Sequence, residues 1–430
     1  MNARQLVRAA AALAIGMLAV ACSGGAGSST TSSEPSSLTI WLMNGSAPQT
    51  IVDGVNADFK AKHPNVTVNV QIQQWSDVTT KLDTAFAGSS PPDVMELGNT
   101  LVAKYAAAGA LSNLTSKKSS FENSSTWLQS LTDSCMLGGK LYCVPYYAGS
   151  RAVVYRKDLF TSAGIANPPK STDEWMQDGQ KLMDANRSDA DFSALYFPGK
   201  YWYAALPFIW DNGGDIAAQS GSQWKGTLDS TQSQQGLTTL AGMVSKLSKA
   251  DKTGDELKQD AAFVQGHIAM LIANGWEIGV ITDPKTGDPS LKDKLGVFPI
   301  PSHTAGQSAP VFLGGSDLGI AAKSKAQGLA QEWIGMLEGK KWQTQMATVG
   351  QVIPNTTTLL SLNDGQPLIG TFAAAAKNSK FVPNSPNWAN VESANVIPDM
   401  LVSIFTGKAS VADATKSAST HIGDILNGKS

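Results

Sequence analysis

The chain has 430 residues, 42% of them hydrophobic and 16% charged, with a formal net charge of −2. Those values exclude a disordered chain and are enough to bury more than one core. No basic stripe interleaved with aromatics stands out, which argues against nucleic acid as a partner.

Arg4 and Arg8 precede an apolar run, Ala9 to Ala21, too short to span a membrane as a stable helix. This predicts a secretory signal peptide over residues 1–21. The run ends "LAVAC" and resembles the lipobox of bacterial lipoproteins, with Ala19 where Leu is usual. The resemblance implies cleavage before Cys22 and a diacylglycerol on its thiol. Residues 22–37 are rich in Gly and Ser and without apolar content, so they predict a flexible tether. A lipid anchor and tether place a globular body outside the cytoplasmic membrane, on its outer face.

"LTIW" from Leu38 predicts a strand. Ile51, Val55 and Phe59 recur at helical spacing, and His63-Pro64 ends that helix. "VTVNV" alternates like a strand, Ser76 is placed to cap a helix carrying Val78, Leu82 and Phe86, and "PPDVMEL" feeds a buried strand. The order strand–helix–strand–helix–strand predicts an α/β fold with a mostly parallel sheet. Cys135 and Cys143 flank "MLGGKLY"; in an exported protein they predict a hairpin disulfide, worth about 2.5 kcal/mol by chain entropy.

"RAVVYRKDLF" from Arg151 predicts a strand entering a short helix, and Ser171 with Glu174 a capping box. Leu237 to Leu247 reads as helix. In "FVQGHIAMLIANGWEIG" the run Ile268 to Ala273 is a buried strand that stops at Gly275, which suggests a tight bend or a close backbone approach, and Trp276. "KLGVFPIP" is a further strand. Ser324 caps a helix with Leu329, Trp333 and Leu337, and the segments from Ile397 to Leu426 are helical. The length calls for two domains, yet no second linker separates them. Two lobes through which the chain crosses more than once resolve this, with a ligand cleft near strand ends.

Several stretches resemble, in order, the extracellular solute-binding proteins of ABC importers, of the type that binds maltose and other oligosaccharides. They are "LTIWLMNG", "FKAKHPNVTVNVQ", "SSPPDVMELGNT", "GKLYCVPYYAGSRAVVYRKDLF", "PKSTDEW", "FVQGHIAMLIANGW", "LGVFPIPSHTAG" and "FLGGSDLGIAAKSK". The resemblance covers Leu38 to Gly407. It implies two Rossmann-like α/β lobes of the periplasmic-binding-protein type II kind, joined by a multi-crossing hinge that closes on a sugar. The expected lobes are 38–148 plus 270–322 and 149–269 plus 323–430. It also implies a monomer that delivers a di- or oligosaccharide to membrane permease subunits, with no cofactor, no metal and no covalent chemistry.

Sugar rings present flat C–H faces and a rim of hydroxyls, so a sugar cleft wants aromatic plates with polar groups between them. Of 11 Trp, Trp127, Trp175, Trp333 and Trp342 lie in helical patterns and Trp41 in the first strand, where packing explains them. Trp276, Trp388 and Trp202 or Tyr203 are the stacking candidates. The family places stacking aromatics in their segments. The polar candidates are Asn44 after the first strand, Glu96 and Asn99 after the third, Tyr147 and Arg151 at the first crossing, and Asp211. Gly315 and Ser316 offer backbone N–H groups, and Asp317 binds a hydroxyl or caps a turn.

A lipid-anchored glycosidase would need two carboxylates flanking the bond, for which Glu96 with Asp211 is the available pair. "GGSDLG" misses the serine-hydrolase elbow because Leu318 takes the place of its last glycine. The four His are scattered without H-E-x-x-H. The cleft segments offer mainly Arg151 as a cation, so a neutral sugar is expected over an anionic ligand.

Overall fold

The computed structural model describes residues 35–366 and 368–429. The expected signal peptide, Cys22 and nearly all of the tether fall outside these residues. Among them, no helix is long and apolar enough to cross a membrane.

Two sheets organise the body. The first has the order Ile353–Pro354, Cys143–Gly149, Gly314–Ile320, Val94–Gly98, Ser37–Met43 and Thr67–Gln73. Its last three strands are parallel, while Gly314–Ile320 runs antiparallel to both neighbours. Alternation decides the inward face: Leu38, Ile40 and Leu42 are buried, with the half-buried Thr39 and Trp41 between them. The helix Gln49–Lys62 turns Ile51, Val55 and Phe59 onto the same core. The second sheet has the order Leu295–Phe298, Arg151–Arg156, Ile268–Asn274 and Ser193–Tyr196. Every residue of Ile268–Asn274 is buried, as a strand covered on both faces requires. Trp175, Phe208, Leu237 and Trp388 fill its core.

The chain crosses between the sheets at Ser150 and between Phe298 and Gly314, and after Pro354 it leaves the first sheet for helices that pack in the second core. A third cluster, which includes Ala148, Ala152, Leu313, Ile353 and Phe372, packs around these crossings. The sheets part company with the expected lobe bounds. Ile268–Asn274 and Leu295–Phe298 pair in the second sheet, although 270–322 was expected in the first lobe. The helix Gln327–Leu337 packs with the first core, although 323–430 was expected in the second lobe. An apolar run states that a segment is buried, not against which sheet.

Local signals behave unevenly. Met136–Leu137 pairs with Lys140–Leu141 across Gly138 and Gly139, both at positive φ, and Cys135 is bonded to Cys143 with Cα atoms 4.9 Å apart. Ser171 Oγ accepts from Glu174 N at 3.2 Å, but Glu174 reaches back to Lys170 N rather than to Ser171. Ser76 caps nothing, because it lies inside a short 3-10 turn, Trp75–Asp77. Ser324 Oγ accepts from Ala326 N, ahead of a helix that begins at Gln327. "KYWYAALPFIWD", read above only as a source of aromatics, contains the helix Trp202–Asp211. Its interior Pro207 and nearly all-round burial hide the helical period.

Candidate ligand-binding cleft

Strand ends build the cleft. In the first sheet the parallel strands Ser37–Met43, Thr67–Gln73 and Val94–Gly98 all finish on it, delivering Asn44, Trp75 and Asn99. Asn44 N donates to Gln73 O at 2.8 Å, which ties the first two ends together. In the second sheet Ile268–Asn274 ends at Trp276. Ligands in open α/β sheets gather at such carboxyl ends. The main space is about 800 Å³ and is lined by Asn44, Trp75, Tyr147, Trp276, Asp283, Ser316 and Gln351. A smaller branch of about 290 Å³ runs along Asn99, Arg151, Tyr203, Asn274, Phe312 and Glu392. Trp75, Trp276 and Gly315 border both spaces.

The strand end at "ANGWE" is not the tight bend expected of Gly275. It is a helix start: Gly275–Ile281 is helical, and Glu277 Oε1 accepts from Asn274 N at 2.7 Å. Gly275 has no positive φ, and a Cβ there would make only ordinary contacts. The glycine that matters is Gly149, where a Cβ would stand 2.3 Å from the Trp276 ring. The absence of a side chain at the first crossing therefore lets the indole lie against the backbone. Trp276 stays 38% exposed. Trp75, 41% exposed, was not singled out from the sequence. A similar signal marks it, an aromatic two residues past the end of a strand.

Gly315 sits at φ +134°, with the Tyr147 carbonyl 2.2 Å from where a Cβ would be, so only glycine lets the two strands approach there. Ser316 Oγ donates to Tyr147 Oη at 3.4 Å. Glu96 does not line the cleft. It is wholly buried beneath it, where one carboxylate oxygen accepts from Met43 N at 2.7 Å and the other from Tyr147 Oη at 3.5 Å. Arg151 is only 6% exposed and lines the branch. Its Nε donates to Tyr201 Oη at 3.1 Å, and its guanidinium lies 4.8 Å from the Tyr203 ring centre and 5.6 Å from that of Phe312. Tyr203 stacks on Phe312 at 4.7 Å and donates to Glu392 Oε1 at 3.4 Å.

Besides Glu96, four more expected residues lie elsewhere. Trp388 is 1% exposed in the second core, with Nε1 donating to Glu392 Oε1 at 2.9 Å. Trp202 is buried between Tyr203 and Trp388, with ring centres 3.9 and 6.0 Å away. Asp211 ends its helix outside the cleft and accepts from His303 N and Nδ1. Asp317 points into the first core and accepts from Ser134 Oγ at 2.8 Å. The strand period of two explains it: Ser316 faces one side of the sheet, so its neighbour faces the other. Burial holds the Asp317 carboxyl well above its ordinary pKa. It lies near Cys135 and Cys143, whose sulfurs are bonded to each other and offer no thiolate to a metal. Glu96 and Asp211, the pair a glycosidase would need, do not share the cleft.

Burial raises the Glu96 and Glu277 carboxyls from 4.5 to about 7, against the opposing pull of their hydrogen-bond donors. An acid with a raised folded-state pKa binds its proton more tightly when folded. The stability it contributes is complete below the unfolded pKa of 4.5 and lost as pH rises through about 7. The urea midpoint is therefore expected to be higher at pH 5 than at pH 8, and Glu277→Gln to flatten that slope. An unchanged slope in the variant would remove Glu277 from the effect.

The profile described as bacterial extracellular solute-binding protein matches residues 44–344. The chain is 35% identical over 382 residues, 88% of its length and 87% of the relative's, to the diacetylchitobiose binding protein DasA of Streptomyces coelicolor. It is 24% identical over 419 residues, 93% of its length and 91% of the relative's, to the galactooligosaccharide-binding protein of Bacillus subtilis. Among solved structures it is similar to the GacH receptor of Streptomyces glaucescens, with a TM-score of 0.79 and 24% identity over 92% of this chain and 99% of that one. Maltose-bound MalE3 of T. maritima gives 0.77 and 21%, covering 91% of this chain and 100% of that one. Two sheets between which the chain passes back and forth, a cleft at their strand ends and a profile match across most of that body lead to one conclusion: the chain belongs to the bacterial extracellular solute-binding protein family.

Proposed function

We propose that the chain captures a neutral di- or oligosaccharide in this cleft and hands it to the membrane permease of an ABC importer. The observation that carries the reading is the pair of exposed indoles, Trp75 from the first sheet and Trp276 from beside the second, bordering one space. Large aromatics left open to water inside a cleft suit the C–H face of a sugar ring. Asn44, Ser316 and Gln351 supply donors and acceptors for its hydroxyls. The relative named for diacetylchitobiose puts chito-oligosaccharides first among the candidates.

Capture works by closure. The strand crossings at Ser150, between Phe298 and Gly314, and after Pro354 serve as the hinge between two lobes, one around each sheet. A ligand touching both lobes favours the closed state by contacts that exist only there. The body is held as a monomer outside the cytoplasmic membrane by a lipid on Cys22, in a compartment that keeps Cys135 and Cys143 oxidised.

A thermal-shift screen over maltose, cellobiose, xylobiose, diacetylchitobiose, trehalose and longer forms tests the reading. A ligand at 100-fold above its Kd adds about 2.7 kcal/mol of stability. Absence of any shift across the set would overturn it. Gly149→Ala is expected to push the Trp276 ring aside and weaken the best ligand about 10-fold, with stability changed by less than about 1 kcal/mol. Calorimetric titration and Trp emission check this, and an unchanged affinity would separate Gly149 from the site.

A further inference from the structure

Strand ends of the first sheet stand level with one another along the cleft. Ser316 pairs with Gly98 on one side and Tyr147 on the other, and Tyr147 pairs with Pro354. The register that sets Trp41 opposite Met95 carries Asn44 to the level of Gly98. Asn44, Gly98, Ser316, Tyr147 and Pro354 therefore form one row across neighbouring strands. Strands lie about 4.8 Å apart, so the row is about 19 Å long. The main space follows it. Asn44 and Trp75 line one end, Ser316 and Tyr147 the middle, and Gln351, two residues ahead of the strand Ile353–Pro354, the other end. Its volume of about 800 Å³ is toward the top of the range for small-ligand sites, about 300–1,000 Å³.

The two open indoles are set apart along this row. A Cβ at Gly98 would stand 3.6 Å from the Trp75 ring, and one at Gly149 2.3 Å from the Trp276 ring. Gly98 and Gly149 close the strands Val94–Gly98 and Cys143–Gly149, and Gly314–Ile320 lies between those two strands. The seats of the two plates are thus two strand spacings apart, about 10 Å. A pyranose chain advances about 5 Å per ring, counting bonds of about 1.5 Å across the ring and its bridging oxygen. Neighbouring rings are therefore too close to cover both plates, and rings separated by one other are spaced to do so.

Resting on the saccharide reading above, we infer that the cleft takes a chain of three or more sugar rings laid across the strand ends, one ring on Trp75 and the next but one on Trp276. The ring between them passes over Gly315, which borders both spaces and, having no side chain, leaves room for it. A disaccharide covers one plate and leaves the other indole open to water. Past Trp276 the exposed Gln351 offers its amide to the hydroxyls of a further ring. The spacing of the plates sets the length of the preferred ligand, whatever its ring substituents.

Calorimetric titration of the mature chain with two β-1,4 series of two, three and four rings, the cello-oligosaccharides and the N-acetylated chito-oligosaccharides, tests this. In a series that binds, the trisaccharide is expected to bind at least about 10-fold more tightly than the disaccharide, because it covers a second aromatic anchor. Trp75→Ala keeps one plate, which both lengths cover alike, so the trisaccharide should fall to within about 3-fold of the disaccharide. The wild-type series stands as a test even if the variant does not fold. A disaccharide that binds as tightly as the trisaccharide, or a trisaccharide advantage that survives in Trp75→Ala, would overturn the inference and leave saccharide capture intact. Binding of neither series would also overturn it, and the thermal-shift screen then decides separately whether saccharide capture stands.

Discussion

Trp276→Ala is expected to weaken the preferred saccharide about 100-fold, a loss of about 2.7 kcal/mol, and to leave folding stability within about 1 kcal/mol of the parent. Both halves follow from the geometry. The indole is 38% exposed, so its removal opens little cavity. Its ring lies against Gly149 and borders both spaces of the cleft, so its removal takes away a surface the ligand covers. Anchors of this kind, aromatic and central, carry much of the energy of an interface. Trp75→Ala should act in the same direction from the other sheet. Titration calorimetry beside urea unfolding separates the two effects. Wild-type affinity in Trp276→Ala, or loss of binding only through loss of the fold, would refute this role.

The opposite result is expected at Trp388. Truncation to alanine should cost about 3–5 kcal/mol of stability, as large-to-small changes of a buried aromatic do. Trp388 is 1% exposed in the second core, its ring centre 6.0 Å from that of Trp202. Its Nε1 also satisfies Glu392 Oε1, which would lose that donor. The urea midpoint should fall with an unchanged m value. Trp388→Phe, which keeps most of the volume, should fall between. A Trp388→Ala protein of parental stability whose only defect is ligand affinity would return this residue to the cleft.

The contrast between these two tryptophans marks the limit of reading the chain locally. Both follow Asn or Gly in short irregular stretches, and both lie in segments where the family places stacking aromatics. One borders open space and the other is sealed. What seals Trp388 is the helix Trp202–Asp211, contributed from almost two hundred positions earlier and itself without a legible helical period. Trp75 was missed for a different reason. Its signal, a strand end followed by an aromatic, was as plain as that of Trp276, and no landmark segment of the family contained it. The Asn274–Glu277 helix start is legible too, since an Asn three residues before a Glu is a helix-entry pattern, although a continuous apolar run that stops at a Gly suits a turn equally well. Asp211 and Asp317 failed as site candidates because a carboxylate near a plausible segment carries no information about the direction in which it points.

What the sequence determined by itself is what depends on neighbours along the chain. Alternation named the strand Thr67–Gln73, apolar runs named Val94–Gly98 and Ile268–Asn274, and helical spacing named the helix Gln49–Lys62. Their order gave the α/β class, and the ordered landmark segments gave the family. Tertiary structure alone decided the rest: which sheet the strand Ile268–Asn274 joins, which indoles stay open to water, and that Arg151 meets Tyr201, Tyr203 and Phe312. Burial and hydrogen-bond satisfaction are sums over atoms brought together from distant segments, here from Tyr201 and Tyr203, Phe312 and Glu392. No window along the chain contains that sum.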